Sequence, residues 1–323
     1  MDELIDAVVL ADQLGYHACY SADEIYHKDM WLLFAAAARQ TERIRFGPCV
    51  SPIYLRDPTY VAQLAATLDE LSGGRVVLGL GTSGDRVIEH WHGEKFSKPI
   101  QRTKEYVEII NMIVSGEKLL YDGQIFKLQR GFRLLFEPPR KHIPIYVASI
   151  SPKSMQSLAT VADGWMPIYW PKSRFMDGKK QIAEAAKAAG RPGDAVECVA
   201  SLTVVINPDE EKAKFQAAGP ISWYVTNMGD FYHEMLTRNG FGEEVAAMRK
   251  VGETHKPPPF GTNPELVAAM GDRMLEETAI WGDLETVAAG IEERRQLGVD
   301  LPSISMPQGP LEQVERVLGT LVS

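Results

Sequence analysis

The chain has 323 residues, enough for two domains of about 150 residues or for one large barrel. Its 45% hydrophobic and 24% charged residues are typical of globular proteins and exclude a disordered or fibrous protein. The formal net charge of −9 argues against a surface for nucleic acid or anionic membrane.

The sequence contains no clear pattern of a membrane helix, a disulfide framework or a metal site. The longest apolar run, Met30–Ala38, is far shorter than the roughly 18 residues of a membrane helix, and no basic-then-apolar leader opens the chain. We therefore expect a cytoplasmic protein without a membrane partner. Three cysteines without a Cys-x-x-Cys motif predict neither a disulfide framework nor a thiolate zinc site. His90 and His92, two residues apart, form no established ligand pattern, so we expect no metal.

The first predicted elements alternate between helix and strand. The chain opens in a helical pattern, and strands follow at "HACYSA" and "RIRFGPCV". The next helix begins with Asp57 as N-cap and Pro58 at its first position, and it ends at Gly73. The apolar face of this helix is predicted to comprise Val61, Leu64, Ala65, Leu68 and Leu71.

Five further strands are predicted, at "RVVLGLG", "IPIYVAS", "GWMPI", "ECVASLTVVI" and "DLPSISM". Seven strands with intervening helices favour an α/β fold, a (β/α)8 TIM barrel whose first strand is missing or irregular. Residues 117–128 predict a hairpin insertion, and residues 219–271 a helical insertion that contains "HKPPPFGTNP". We interpret residues 1–323 as one domain with insertions.

Active sites of such barrels lie at the carboxyl ends of the strands. Gly79, Gly81 and Gly84 follow one strand as a literal G-x-G-x-x-G, which in a dinucleotide-binding fold would open a helix within a short βαβ unit. No parallel strand is predicted again until near Ile143, so close backbone packing at the strand end is the better interpretation.

Several longer segments of the sequence, taken together and in this order, match one known family. "LAATLDELSGGRVVLGLGTSG", followed by "VIEHWHGEKFSKPIQRTKEYVEII", resembles the luciferase-like oxidoreductase superfamily, in particular its branch that uses the deazaflavin coenzyme F420. "LADQLGYHACYSADE", "ERIRFGPCVSP", "IPIYVASISP" and "GDLETVAAGIEERRQLGVD" also match. The resemblance runs from about residue 3 to residue 306 and is weakest between about 170 and 270.

This resemblance implies a bacterial luciferase-like TIM barrel, usually a homodimer, that holds F420 or FMN at the carboxyl ends of its strands. It also implies a non-prolyl cis peptide between Cys49 and Val50. The cofactor contacts carried over by position are Asp23, Cys49, Val50, Ser51, Gly81, Thr82, Ser83, Ser149, Ile150 and Ser151. Ser149 and Ser151 also precede a predicted helix start, which suits either a phosphate or a plain N-cap at Ser149.

Three carboxylates are the catalytic candidates: Asp23, Glu24 and Asp85. Many relatives have Asp-His where this chain has Asp23-Glu24, so the identity of the general acid or base stays open. Asp85 is the weaker candidate, since its match needs a one-residue gap. His90 and Trp91 are interpreted as packing or pocket wall.

An acidic protein that binds an anionic cofactor needs local cations. The candidates follow "RIRFGPCV" and "RVVLGLG", which are the third and fourth barrel strands when the missing first strand is counted: Arg56, Arg86, Lys98, Arg102 and Lys104. Trp170, Trp223 and Tyr224 are candidates for the wall of the substrate pocket.

Together these features predict a deazaflavin-dependent oxidoreductase that transfers a hydride to or from a small organic substrate. One alternative is an FMN-dependent monooxygenase that uses reduced flavin and oxygen. Another is a catalytically silent flavin-binding relative, and a metal-dependent barrel hydrolase is less favoured.

Overall fold

The structure is a computed structural model that describes residues 1–307 and 310–322. The helices in this part of the chain are α1 (Asp2–Leu14), α2 (Met30–Ala38), α3 (Pro58–Ser72), α4 (Pro99–Ser115), α5 (Pro152–Leu158), α6 (Phe175–Ala188), α7 (Glu210–Asn227), α8 (Phe231–Leu236), α9 (Gly242–Thr254), α10 (Pro264–Thr278), α11 (Leu284–Gln296) and α12 (Leu311–Leu321). No helix of the described residues has the length and apolar character needed to cross a membrane.

The strands are short. They are β1 (Ala18–Ser21), β2 (Arg45–Pro48), β3 (Ser51–Pro52), β4 (Leu78–Gly81), β5 (Tyr121–Asp122), β6 (Lys127–Leu128), β7 (Ile145–Val147), β8 (Gly164–Trp165), β9 (Glu197–Cys198), β10 (Ser201–Ile206), β11 (Ala279–Gly282) and β12 (Ser303–Ile304). Each of the seven segments predicted as strands contains at least one of them.

The strands are arranged side by side in chain order. Parallel pairs join β1 to β2, β3 to β4, and then β4, β7, β8 and β9 in succession. Single bridges from Phe46 to Val76 and from Ile168 to Ser201 connect these groups, and β10 pairs with β12. The result is the parallel order of a (β/α)8 barrel, with seven strand positions filled in the described chain.

Residues alternate between the two faces of the barrel wall, as expected for strands buried on both sides. Ile145 and Val147 pack outward under the helices. Tyr146 points inward, where it forms a buried cluster with Val77, Met166 and Val199. This cluster fills the barrel below the carboxyl ends of the strands.

Strand β11 was not predicted. It follows α10 directly, and its four residues "AIWG" are too few to show a strand pattern. It pairs with Thr203–Ile206 of β10, beyond the part of β10 that pairs with β12.

The sequence predicted a missing or irregular first barrel strand, and the described residues place no strand between β12 and β1. A cavity of about 300 Å³ lies between these two strands, lined in part by residues 18–20 and 301–306. Helix α12 covers this side, and the Tyr16 hydroxyl donates a hydrogen bond to the Leu318 carbonyl.

Helix α3 has the predicted ends. Asp57 accepts a hydrogen bond from the Thr59 N–H at 2.8 Å, Pro58 is the first helical residue, and Gly73 ends the helix with φ +71°. The predicted apolar face is correct except for Leu71, which is 38% exposed, and Leu64, which is half-buried.

Strands β5 and β6 pair antiparallel within residues 117–128, where the sequence predicts a hairpin. The helices around the predicted insertion of residues 219–271 run from Glu210, where α7 begins, to Thr278, where α10 ends. Pro220 lies inside α7. Residues 255–263, with the three prolines, connect α9 to α10 outside helix, as expected.

Candidate active site

Two adjoining cavities lie at the carboxyl ends of the strands. The inner cavity has a volume of about 180 Å³ and is lined by Ala22, Glu24, Tyr26, Cys49, Val50, Ser83, Gly84, Val87, Trp91, Ala148, Met166, Ile168, Ser201, Trp223, Tyr224, Met228 and Tyr232. The outer cavity, about 550 Å³, is lined by Ala22, Asp23, Glu24, Ile25, His27, Lys28, Asp29, Met30, Pro52, Tyr54, Leu55, Arg56, His92 and Glu94. Ala22 and Glu24 belong to both.

The segment after β2 forms the floor of the inner cavity. The peptide bond between Cys49 and Val50 is cis, at the position that the resemblance implies, and both residues line the cavity. Burial raises the pKa of the Cys49 thiol, so this cysteine stays neutral and is not a nucleophile at neutral pH.

Glycines allow this segment to approach β4. A Cβ on Gly81 would lie 2.5 Å from Cγ2 of Val50, and a Cβ on Gly79 would lie 2.2 Å from the Pro48 carbonyl oxygen. A short helical segment follows Gly84 and becomes a π-helical turn at Val87–Trp91, but the next parallel strand is β7, which begins only at Ile145, so no short βαβ unit is present here. The geometry therefore fits close backbone packing and not a dinucleotide fingerprint.

Thr82 and Ser83 continue the chain beyond β4. Ser83 adopts a left-handed conformation with φ 56° and lines the inner cavity. The Thr82 hydroxyl donates a hydrogen bond to the Ser83 carbonyl oxygen at 3.1 Å, and Thr82 does not line either cavity.

Asp23 is engaged by other protein groups. Arg56 donates two hydrogen bonds to its carboxylate, both at 2.7 Å, and the Ser51 hydroxyl donates a third at 2.6 Å. The side chain of Asp23 is only 6% exposed, and Ser51 is fully buried. Asp23 thus fixes the segments after β1 and β2 relative to each other, and it borders the outer cavity rather than the inner one.

Glu24 has the opposite environment. Its Oε2 atom is buried without a hydrogen-bond partner among the described residues. Burial, and secondly the negative charge of Asp23, raise the pKa of Glu24 above its usual range. A carboxyl with a raised pKa that borders both cavities is placed to act as a general acid.

Asp85 points toward the insertion. Its Oδ1 atom is buried without a hydrogen-bond partner in the described chain, and it would lie 2.7 Å from a Cβ built on Gly229. Asp85 itself lines neither of the two cavities.

The segment after β7 is organised by serine hydroxyls. Ser151, rather than Ser149, caps α5, and it forms a capping box with Ser154. The Ser149 hydroxyl bonds to the Ser154 hydroxyl, and Trp165 Nε1 donates to the Ser149 carbonyl oxygen at 2.7 Å. Ser149, Ile150 and Ser151 do not line the inner cavity.

Sequence reasoning missed a cation at this segment. Arg238, in the insertion, donates a hydrogen bond to the Ile150 carbonyl oxygen at 3.1 Å. A lone arginine inside a helical pattern gives no signal of such a contact.

Four of the predicted cations already have partners. Arg56 pairs with Asp23, and Lys104 lies 3.9 Å from Glu108. Arg102 stacks over the rings of Tyr54 and Phe126. Arg86 reaches the Asn227 carbonyl oxygen at 3.4 Å, so it contacts the insertion.

Aromatic side chains wall the inner cavity. Trp223 and Tyr224 are among its lining residues, as expected, and Tyr232 packs on Tyr224 with 4.7 Å between ring centroids. Trp170 does not line this cavity and instead packs edge-on against Trp165. Trp91 is a wall residue, whereas His90 is exposed.

No group of three or more metal-ligating side chains occurs in the part of the chain that the structure describes.

Comparisons with known proteins agree with this geometry. The family model described as luciferase-like monooxygenase matches residues 1–301. A 5,10-methylenetetrahydromethanopterin reductase of Archaeoglobus fulgidus is 30% identical over 310 residues, which are 95% of this chain and 90% of that protein.

Solved structures with the same fold cover nearly the whole chain. The coenzyme F420-dependent tetrahydromethanopterin reductase of Methanopyrus kandleri has a TM-score of 0.78 at 24% identity, covering 98% of this chain and 93% of that one. An F420-dependent secondary alcohol dehydrogenase, in complex with an F420–acetone adduct, has a TM-score of 0.75 at 19% identity, covering 98% and 92%.

An FMN complex of a type II Baeyer–Villiger monooxygenase of Pseudomonas putida has a TM-score of 0.66 at 19% identity, covering 99% and 91%. These likenesses confirm the predicted TIM-barrel fold. The extent of the family match and the full-length relative establish that the chain belongs to the luciferase-like monooxygenase family.

Proposed function

We propose that the protein is a deazaflavin (F420)-dependent oxidoreductase that transfers a hydride to or from a small organic substrate. The observation that carries the proposal is the position of Glu24, whose buried Oε2 atom has no hydrogen-bond partner among the described residues, at the edge of an inner cavity floored by Cys49 and Val50. Support for F420 comes from the solved coenzyme F420-dependent reductase of Methanopyrus kandleri, which has the same fold and is a tetrahydromethanopterin reductase like the 30%-identical relative.

The residues of the inner cavity fit a flat ring. Gly81 leaves room for Val50, so the cavity floor lies close to β4, and Tyr224 and Trp223 face it from the insertion. Cys49, Val50 and Ser83 are the proposed ring contacts. For the other sequence-predicted contacts we propose supporting positions around the ring or along the tail of the cofactor: Asp23, Ser51, Gly81, Thr82, Ser149, Ile150 and Ser151.

In the proposed mechanism the bound deazaflavin supplies or accepts the hydride. The protein positions the substrate and excludes water. Glu24 holds a proton on its carboxyl and donates it to the oxygen or nitrogen of a group that is being reduced. Asp23 acts indirectly, because Arg56 and Ser51 occupy its carboxylate.

Titration of the purified protein with F420 and with FMN, followed by cofactor fluorescence, tests the proposal. We expect saturable binding of F420 and much weaker binding of FMN. Tight FMN binding without F420 binding would favour the FMN-dependent monooxygenase, to which the FMN-bound neighbour gives some support. F420 binding without turnover of any ketone, imine, alcohol or enone in a panel would favour a catalytically silent cofactor-binding protein. The presence of Glu24 in this chain, where many relatives have histidine, gives that alternative some support.

We also propose a homodimer and a cytoplasmic location. Large apolar side chains are exposed on each of the first three helices: Leu4, Leu32 and Tyr60 are 43%, 68% and 67% exposed. Such a surface suits a partner subunit. Light scattering on the purified protein should give the mass of two chains, and a monomer would contradict the proposal.

A further inference from the structure

The two cavities differ in what they can hold. Ligand pockets usually measure about 300–1,000 Å³. The inner cavity, about 180 Å³, has room for little besides the proposed ring, whereas the outer cavity, about 550 Å³, is within that range. Because Glu24 borders both, a ligand in the outer cavity would meet the same carboxyl as the ring.

The residues between the two cavities present aromatic rings to the inner cavity and imidazoles to the outer one. In two dipeptides, the aromatic residue lines the inner cavity and the following histidine lines the outer one: Tyr26–His27 and Trp91–His92. The rings of Tyr26 and Trp91 meet edge-on, with centroids 6.1 Å apart. The inner side is therefore suited to a flat ring and the outer side to a hydrogen-bonding ligand.

Two buried polar atoms of the outer-cavity residues lack partners within the described chain. They are Oε2 of Glu24 and Nε2 of His92. A buried polar atom without a hydrogen bond costs about 1–3 kcal/mol, so such atoms usually contact water or a ligand. The outer cavity thus offers a carboxyl and an imidazole to an incoming polar molecule.

Carboxylates outnumber cations among the residues that line the outer cavity. Besides Glu24, the carboxylates are Asp23, Asp29 and Glu94, and the cations are Lys28 and Arg56, which is paired with Asp23 and lies 3.6 Å from Asp29. An anion would therefore be repelled, whereas an uncharged molecule with hydrogen-bonding groups would be well matched.

We propose that the outer cavity is the substrate chamber and that it takes an uncharged, polar carbonyl or imine compound whose reducible group lies against Glu24. This inference rests on the proposed function. In the reduction, the substrate carbon gains a hydride, with its two electrons, from the reduced deazaflavin. The oxygen or nitrogen gains the Glu24 proton, which solvent then restores through the outer cavity. A carbonyl becomes an alcohol, or an imine an amine, and the deazaflavin is oxidised.

The test uses 2-cyclohexen-1-one as an uncharged carbonyl probe and cyclohexanecarboxylate as a charged probe of similar size. Binding to the cofactor-free protein is followed by nuclear magnetic resonance of the histidine side chains. We expect the enone to shift the signals of His27 and His92, but not that of exposed His90. The carboxylate should bind at least tenfold more weakly.

A substitution in the outer cavity tests whether the two cavities bind different ligands. Leu55 lines only the outer cavity, so Leu55→Trp should weaken enone binding at least tenfold and change the F420 dissociation constant less than twofold. Leu135→Trp, at a fully exposed leucine that lines neither cavity, is the matched control and should change neither. If Leu55→Trp does not fold, His92→Phe replaces it, with the same expectation.

The inference is overturned if the enone shifts neither His27 nor His92, if Leu55→Trp leaves enone affinity unchanged, or if F420 displaces the enone. A carboxylate that binds as well as the enone would overturn the assignment of an uncharged substrate. Failure of wild-type protein to bind F420 is a separate result, which removes the proposed function whatever the probes do.

Discussion

The inner cavity has two halves that are built in different ways. The strand-end half, which includes Glu24, Val50 and Ser83, is positioned by parallel strands whose carboxyl ends meet. The insertion half, which includes Trp223 and Tyr224, is positioned by packing among helices α7 to α10. The position of the first half follows from topology, and that of the second follows from which helix faces happen to meet.

The contacts that hold the two halves also differ. Charged hydrogen bonds between Asp23 and Arg56 and tight backbone packing at Gly81 fix the strand-end half. The insertion reaches the barrel segment after β7 through the hydrogen bond from Arg238 to Ile150. We therefore expect chemistry and stability to depend most on the strand-end half.

Glu24→Gln should have the largest effect. Loss of a general acid typically lowers the rate by about 10²–10⁴, and Gln keeps the shape of the side chain without the transferable proton. Single-turnover oxidation of bound reduced F420 by a carbonyl substrate measures this rate. Asp85→Asn is the control, since Asp85 lies against Gly229, and it should lower the rate less than tenfold. A larger loss in Asp85→Asn would reverse the assignment.

Arg56→Met should destabilise the fold by about 2–3 kcal/mol. It leaves the nearly buried Asp23 carboxylate without its main partner, and the loss is moderated because Arg56 is one-third exposed. Urea unfolding measures the change. Arg86→Met, whose guanidinium makes one 3.4 Å contact with Asn227, is the control and should cost less than about 0.5 kcal/mol. Equal effects would show that the pair with Asp23 does not stabilise the strand-end half.

Gly81→Ala should destabilise by about 1–3 kcal/mol, because the new Cβ would come within 2.5 Å of Val50. Val50 would have to move, so F420 binding should weaken as well. Gly84→Ala is the matched control in the same loop, since its Cβ would meet only the Met228 carbonyl oxygen at an ordinary 3.6 Å. Thermal unfolding and F420 titration follow both variants, and an unperturbed Gly81→Ala protein would contradict the packing argument.

The raised pKa of Glu24 predicts a pH-dependent stability without any ligand. Folding favours the protonated carboxyl, so its stabilisation is present below the ordinary pKa of glutamate and is lost as pH rises through the raised pKa. Glu24→Gln should therefore gain melting temperature relative to the wild type as pH rises, and the difference should shrink in acid. A difference that does not vary with pH would mean that Glu24 has no raised pKa.

Sequence information located much of the strand-end half. The runs around Cys19, Phe46 and Leu78 are predicted as strands. Glu24 is selected as a carboxylate at a strand end, and Val50 through the family resemblance. It was not sufficient to show that Asp23 is occupied by Arg56, because such a pair joins two loops whose approach depends on the folded barrel.

The insertion half was harder to predict for a physical reason. Helical periodicity identifies an apolar face but not the neighbour that covers it, so nothing distinguished Tyr232 or Met228 from core residues. Pro220 normally indicates a helix boundary, yet here it lies within α7. Strand β11 was missed because four residues after a helix show no periodicity.

Arg238→Gln should have the smallest effect, about 1 kcal/mol or less, because it removes one exposed hydrogen bond to Ile150. Its consequence should be local: faster proteolysis within the insertion, with an unchanged melting temperature for the barrel. Arg249→Gln is the control, since Arg249 pairs with Asp230 inside the insertion itself. If Arg238→Gln lowered the global melting temperature as much as Gly81→Ala, the two halves would unfold as one unit. The insertion would then be as firmly fixed as the strand ends, and the aromatic wall at Trp223 and Tyr224 could not move away from the inner cavity without opening of the barrel mouth as a whole.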